Sequence, residues 1–139
     1  MSTPTASAKK PRPEFRNIHI TQILGYRLPL AGIVSILHRV SGVLLFLALP
    51  LLLWMFELSL TSELSYERLR GLAGSVLVKL VLVALAWAFL HHLVAGIRFL
   101  VLDLHLGVDK QASANSARAV LVVSVLLAAA VALKIFGVF

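Results

Sequence analysis

Three polar residues, Ser35, His38 and Arg39, lie within a long apolar run of the chain. Polar side chains at membrane depth cost free energy, so they indicate a functional site. Spacings of three and four residues place all three on one side of a helix. If that helix begins near Pro29, Arg39 lies about 15 Å along it, where a guanidinium needs an anionic or accepting partner or a water-filled path. The alternative is that Arg39 extends to the cytoplasmic headgroups, but the polarity of His38 and Ser35 favours a site.

A second polar cluster begins with two adjacent histidines, His91 and His92. They are about 100° apart on a helix, so we expect one to serve a site and the other to face a partner helix or the interface. His92, Gly96, Phe99 and Asp103 form one stripe, and Gly96 leaves room for a bulky planar group or a close helix. A neutral imidazole in a membrane helix suits an axial ligand of haem iron. An interhelical hydrogen bond to a carbonyl or hydroxyl fits the spacing equally well.

The composition indicates which elements must position these residues. Of 139 residues, 60% are hydrophobic and 14% are charged, and the mean hydropathy is +0.96. A soluble domain this small cannot bury so much apolar surface, and three apolar stretches are long enough to cross a bilayer core of about 30 Å. We predict an all-α membrane protein with an arm at 1–28 and an anchor domain at 29–139. The anchor domain should contain three transmembrane helices, at about 29–60, 72–103 and 117–137. Polar loops at 61–70 and 107–116 should connect them.

Basic residues near the helix ends predict the orientation of the chain, because Lys and Arg are retained on the cytoplasmic side. The arm is the most basic segment, with Lys9, Lys10, Arg12, Arg16 and Arg27. Basic residues also flank the second loop, whereas the first loop mixes two arginines with acidic residues. We therefore expect a cytoplasmic N-terminus and a periplasmic C-terminus. Arg39 and His92 then lie at similar depth, and a haem on His92 would place its propionates near His38 and Arg39.

Several function classes are excluded or disfavoured. The net charge of +7 is dispersed at segment ends, so we predict no nucleic-acid binding. The absence of cysteine excludes thiolate metal sites and thiol catalysis. The first apolar run is too long for a signal-peptide core, so we expect an uncleaved chain. A small multidrug-type transporter would need a membrane-embedded carboxylate, and the ranges 40–56 and 80–97 contain none. A structural anchor without haem remains an alternative.

Three motifs are specific when they occur together. They are Arg12-Pro13 in the arm, Ser35-Ile-Leu-His-Arg-Val-Ser-Gly42 in the first helix, and His92-Leu-Val-Ala-Gly-Ile-Arg98 with Asp103 in the second. Across nearly the whole chain they resemble the cytochrome b subunit of bacterial succinate dehydrogenase. The resemblance implies a four-subunit respiratory complex of the bacterial inner membrane. In that complex a flavoprotein oxidises succinate in the tricarboxylic acid cycle, and an iron–sulfur subunit carries the electrons to the membrane.

The resemblance further implies that two anchor subunits bind one haem b and ubiquinone, and that this chain is one of them, with no succinate activity alone. His92 is implied to be the haem axial ligand, with a second histidine from the other anchor. Ser35 and Arg39 are implied to line the quinone pocket, where a hydrogen-bond donor and a positive charge assist quinone reduction. His38 and Arg39 are implied to lie near the haem propionates. Phe99 stands where relatives often carry a histidine, so no propionate contact is expected there.

Overall fold

The computed structural model describes residues 19, 21, 25, 26 and 28–138. The five basic residues of the predicted arm and the Arg12-Pro13 motif lie outside the described residues, so the interpretation of the arm stays a prediction. Residues 28–138 form four α-helices: α1 (Leu30–Thr61), α2 (Glu63–Ala73), α3 (Val76–Asp103) and α4 (Lys110–Ile135).

The helices α1, α3 and α4 are each long and apolar enough to cross a membrane, which confirms the predicted all-α fold with three spans. Pro29 caps α1 with φ −65°, a backbone angle that suits the start of a helix. Pro50 lies inside α1, and the helix continues through it, as membrane helices tolerate. Most large apolar side chains point outward and are exposed, as expected for a bundle surrounded by lipid or by other apolar chains.

The prediction of a loop at residues 61–70 is wrong, because this segment forms most of the short helix α2. Ser62 and Ser65 make a reciprocal capping box: the Ser65 amide donates to Ser62 Oγ at 3.1 Å, and the Ser62 amide donates to Ser65 Oγ at 3.0 Å. Arg70 and Glu67, which lie one turn apart on the same helix, form an exposed ion pair of 3.5 Å. Local capping thus converts a polar stretch into a helix despite its low hydropathy.

The predicted second loop is also too long, since α4 begins at Lys110 and not near residue 117. Asp109 is the physical reason: its Oδ1 accepts from the amides of Gln111 at 3.1 Å and Ala112 at 2.9 Å, which satisfies orphan donors of the first turn. In the remaining loop, His105 and Gly107 have φ of 61° and 67°. The helix α3 ends at Asp103, as predicted, and begins at Val76, four residues after the predicted 72.

The helix α3 contacts both other spans and is the central element of the bundle. Its most buried stripe consists of Ala88, His91, Ala95 and Arg98. The buried residues of α4 are Ala117, Val120, Ser124 and Ala128. The small side chains in both stripes allow the two helices to approach closely. Val34 of α1 joins Ala95, Ala117 and Val120 in the core cluster.

Candidate functional site

The α1–α3 interface consists of His38, Ser41 and Gly42 on α1 and of His92, Gly96 and Phe99 on α3. The rings of His38 and His92 stack with their centroids 4.0 Å apart and an interplanar angle of 9°. The edge of Phe99 lies against His38, with ring centroids 5.1 Å apart. The two predicted polar clusters therefore meet through His38 and His92, which supports the expectation that they lie at the same depth.

A hydrogen bond to the backbone of α1 fixes the His92 ring. Its Nδ1 lies 3.0 Å from the carbonyl oxygen of His38 and 3.2 Å from Ser41 Oγ. Ser41 Oγ itself donates to the His38 carbonyl at 2.9 Å. A carbonyl oxygen can only accept, so Nδ1 of His92 must carry the proton. The lone pair of the neutral ring is then on Nε2, which is the atom available to a metal ion.

Two glycines lie against this pair of rings, and only Gly42 is required for their arrangement. A Cβ on Gly42 would lie 2.8 Å from Cε1 of His92, closer than side-chain atoms approach one another. A Cβ on Gly96 would lie 3.6 Å from Nε2 of His38, which is ordinary contact. Gly42 is therefore needed for the position of His92, while Gly96 leaves the space in which the His38 ring fits.

His91 faces the opposite way, into the α3–α4 interface, which consists of the two buried stripes of α3 and α4 described above. Its side chain is 0% exposed, and its Nδ1 lies 3.3 Å from Ser124 Oγ. Ser124 Oγ also lies within hydrogen-bond distance of the Leu121 carbonyl at 3.2 Å, so its hydroxyl links the His91 ring to the backbone of α4. Trp87 stacks on the other side of the ring at 5.5 Å. Nε2 of His91 is buried without a hydrogen-bond partner among the described residues.

The residues predicted for the first cluster separate in the structure. His38 is half-buried at the α1–α3 interface, and Ser35 is half-buried, whereas Arg39 is exposed. Neither the Ser35 nor the Arg39 side chain forms a hydrogen bond within the part of the chain that the structure describes. The helix thus turns His38 toward α3 and Arg39 toward the outside, so that Arg39 is available to a ligand or partner chain and also to lipid headgroups.

The residues at the α1–α3 interface fit one axial position of a haem. In the described part of the chain no three His, Cys, Asp or Glu residues cluster to hold a bare metal ion, but a porphyrin already supplies four nitrogens and needs only axial ligands. His92 is half-buried, and its Nδ1–H donates to a backbone carbonyl, the arrangement that usually supports a metal-bound imidazole. His91 fits poorly, since its Nε2 is enclosed by protein.

Ser41 and Gly42 contribute to this arrangement without a predicted binding role. Ser41 donates to the His38 carbonyl and also contacts His92. A signal for it exists in the sequence, because Ser41 follows the buried Val34 by seven residues and so lies on the same face of α1. Arg98 also has no predicted binding role, and its guanidinium turns inward toward α4.

Residues 9–131 match the family model described as succinate dehydrogenase/fumarate reductase transmembrane subunit. A succinate dehydrogenase cytochrome b556 subunit of Paracoccus denitrificans is 34% identical over 114 residues, which cover 82% of this chain and 87% of that protein. The subunit of the same name from Rickettsia felis is 36% identical over 102 residues, covering 73% of this chain and 79% of the relative. The one from Coxiella burnetii is 36% identical over 89 residues, covering 63% and 69%.

Proposed function

The chain belongs to the succinate dehydrogenase/fumarate reductase transmembrane subunit family, and we propose that it is the cytochrome b anchor of a succinate:quinone oxidoreductase. In this role it holds haem b together with a second anchor subunit and helps to pass electrons from an iron–sulfur subunit to ubiquinone. The relatives from Paracoccus and Rickettsia are named cytochrome b556 subunits of succinate dehydrogenase, which supports the haem and the enzyme complex.

The observation that carries the haem proposal is the fixed tautomer of His92. Its Nδ1 donates to the His38 carbonyl at 3.0 Å, which leaves Nε2 to bind iron on one side of the ring. Such a backbone acceptor orients the imidazole and increases its basicity as a ligand. When bound, haem b supplies a one-electron redox centre within the membrane. His38, whose ring stacks on His92 at 4.0 Å, and Arg39 lie on the adjacent turn of α1 and would meet the propionates.

The quinone proposal assigns separate roles to Ser35 and Arg39. The Ser35 hydroxyl donates a hydrogen bond to a quinone carbonyl, and the Arg39 guanidinium stabilises the negative charge that develops on the oxygen during reduction. Arg39 is exposed on α1, as a residue must be if its ligand lies between this chain and another subunit. Protons reach the quinone from the cytoplasmic side, near which we place this end of α1.

The proposed partners follow from what the chain lacks. Without cysteine it cannot ligate an iron–sulfur cluster through thiolates, so a separate iron–sulfur subunit and a flavoprotein must deliver the electrons from succinate. The outer surface of the bundle has many exposed leucines, valines and phenylalanines, an apolar surface suited to a second anchor subunit and to lipid in the bacterial inner membrane.

A reduced-minus-oxidised absorption spectrum of membranes that carry the co-expressed complex tests the haem proposal. The His92→Ala variant should lose or alter the b-type haem band, because it removes the imidazole that reaches the haem. The matched control is His91→Ala, in which the adjacent and enclosed histidine is removed and the band should persist. Subunit levels measured by immunoblotting distinguish a missing haem from a missing complex.

Three outcomes would contradict the proposal. A normal haem band in assembled His92→Ala would remove His92 from the iron. Equal loss of the band in both variants, with both complexes assembled, would show that the loss reflects disturbed packing around α3 and not the removal of an iron ligand. Wild-type complex without any b-type band would favour a structural anchor.

A further inference from the structure

Arg98 on α3 is a buried cation whose hydrogen-bond partners among the described residues are all neutral. Its side chain is only 7% exposed. Its Nε donates to Ser116 Oγ at 2.9 Å, and its Nη2 donates to the Ser113 carbonyl at 3.2 Å and to Ser113 Oγ at 3.1 Å. Among the described residues, Arg98 forms no ion pair with a carboxylate. The guanidinium is thus oriented firmly but its charge is not neutralised.

The groups around Arg98 favour a negative charge beside its guanidinium. A buried charge without a counter-charge is strongly disfavoured, and Arg98 lies against the first turns of α4, where the helix dipole is positive. Asp109 is the acidic residue at this helix end, but its Oδ1 accepts from the amides of Gln111 and Ala112. Asp103 at the end of α3 is exposed. An anion beside Arg98 would interact favourably with both the guanidinium and the helix end.

Arg98 also lines a cavity that has space for such an anion. The cavity lies between α3 and α4, measures about 350 Å³, and includes Ser116 as a second polar residue. Its remaining walls are apolar and include Val101, Leu102 and Ala119. A cavity of about 360 Å³ between α1, α2 and α3 is lined by apolar side chains alone. The α3–α4 cavity therefore combines a buried cation with hydrocarbon walls, which matches a ligand with an anionic group and an apolar chain.

The cavity lies at the depth in the membrane at which a bilayer lipid has its headgroup. Arg98 lies five residues before the end of α3 at Asp103, or about 7.5 Å along the helix. Ser113 lies three residues after the start of α4 at Lys110, or about 4.5 Å along it. Both positions are near the end of the bundle, where phospholipid headgroups meet the hydrocarbon core.

We propose that the α3–α4 cavity binds one anionic phospholipid, whose phosphate pairs with the Arg98 guanidinium and whose acyl chain lies along Val101, Leu102 and Ala119. Basic pockets between membrane helices are suited to acidic headgroups, and charge-assisted hydrogen bonds from a guanidinium to phosphate are strong. The site lies at the α3–α4 interface, away from the α1–α3 interface, and its occupancy is measured without reference to haem or quinone.

Native mass spectrometry of the whole delipidated complex tests this site by adding back phosphatidylglycerol, phosphatidylcholine or inorganic phosphate. Wild-type complex should retain phosphatidylglycerol in preference to phosphatidylcholine, and inorganic phosphate should bind weakly because it has no acyl chain. Arg98→Gln should weaken phosphatidylglycerol binding about tenfold by removing the charged donor. The matched control is Arg118→Gln, an equal charge change at an exposed position of α4, which should leave this binding unchanged.

A second variant tests the acyl-chain part of the cavity and remains informative if Arg98→Gln fails to assemble. Ala119→Phe fills the apolar wall without touching the guanidinium, and it should also weaken phosphatidylglycerol binding. Unchanged binding in Ala119→Phe would overturn the proposal. The proposal would equally be overturned if Arg98→Gln lost the second anchor subunit while Ala119→Phe still bound lipid. That result would assign the counter-charge of Arg98 to a partner protein.

Discussion

The two interfaces of α3 use adjacent histidines in different ways. At the α1–α3 interface, His92 is half-buried and its ring stacks on His38. At the α3–α4 interface, His91 is 0% exposed and lies between Trp87 and Ser124. Nδ1 of His92 donates to a carbonyl oxygen, whereas Nδ1 of His91 pairs with a hydroxyl. Nε2 of His91 is enclosed by protein, while the His92 side chain is half-buried, and this difference in burial distinguishes the two rings.

This difference shows that residue type does not by itself identify a metal ligand. A rotation of about 100° between consecutive helical residues puts one histidine at the half-buried α1–α3 interface and the other inside the bundle. The small residues of α4 enclose His91, while Gly42 and Gly96 leave space around His92 and His38. We therefore expect substitutions around His92 to change function, and substitutions around His91 to change stability.

The largest effect is expected from Arg39→Leu, beside the α1–α3 interface, on the rate of quinone reduction. Loss of the positive charge should lower succinate-driven quinone reduction roughly 100-fold, and Ser35→Ala should lower it up to about tenfold by removing one hydrogen-bond donor. Succinate oxidation with an artificial acceptor should persist in both variants, since the flavoprotein is untouched. A parallel fall of both activities would indicate defective assembly and would contradict the quinone roles.

A smaller effect is expected when the space around His92 is reduced. Gly42→Ala adds a methyl group 2.8 Å from Cε1 of the ring, so the ring must shift, at a cost of about 1–3 kcal/mol. The haem content per assembled complex should fall, and the b-type band should change. Gly71→Ala is the matched control, because a Cβ there meets nothing within 4 Å. If Gly42→Ala retained wild-type haem content and spectrum, the close approach would be unimportant for the ligand.

The smallest effect concerns a pair of serines, one at each interface. Ser124→Ala removes the hydroxyl that pairs with the enclosed Nδ1 of His91, and should lower the stability of the complex by about 1 kcal/mol. Ser41→Ala should cost less, since the His38 carbonyl still accepts from His92. Thermal unfolding of the purified complexes, followed by tryptophan fluorescence, measures the difference. Equal shifts of Tm would refute the contrast between an enclosed and an accessible histidine.

Much of the fold follows from composition and periodicity, because a helix must satisfy its own backbone groups in lipid. The three spans were predicted in this way, and α3 ends at Asp103 as expected. The errors fall where polar residues form helix caps: Ser62 with Ser65 starts α2, and Asp109 starts α4. Hydropathy carries no information on such local hydrogen bonds, so both segments were predicted as loops.

The sequence by itself determined the chemistry that is available: a helical polar cluster around His38, a second one around His92, no thiol, and apolar spans that require a membrane. Only the tertiary structure decided which groups meet, because the rotation of α3 against α1 and α4 depends on packing between residues distant in the chain. That packing joins the His92 ring to the His38 carbonyl, encloses His91 against Ser124, and turns Arg98 inward. One helix thereby holds an accessible histidine, an enclosed histidine and a buried cation within eight residues.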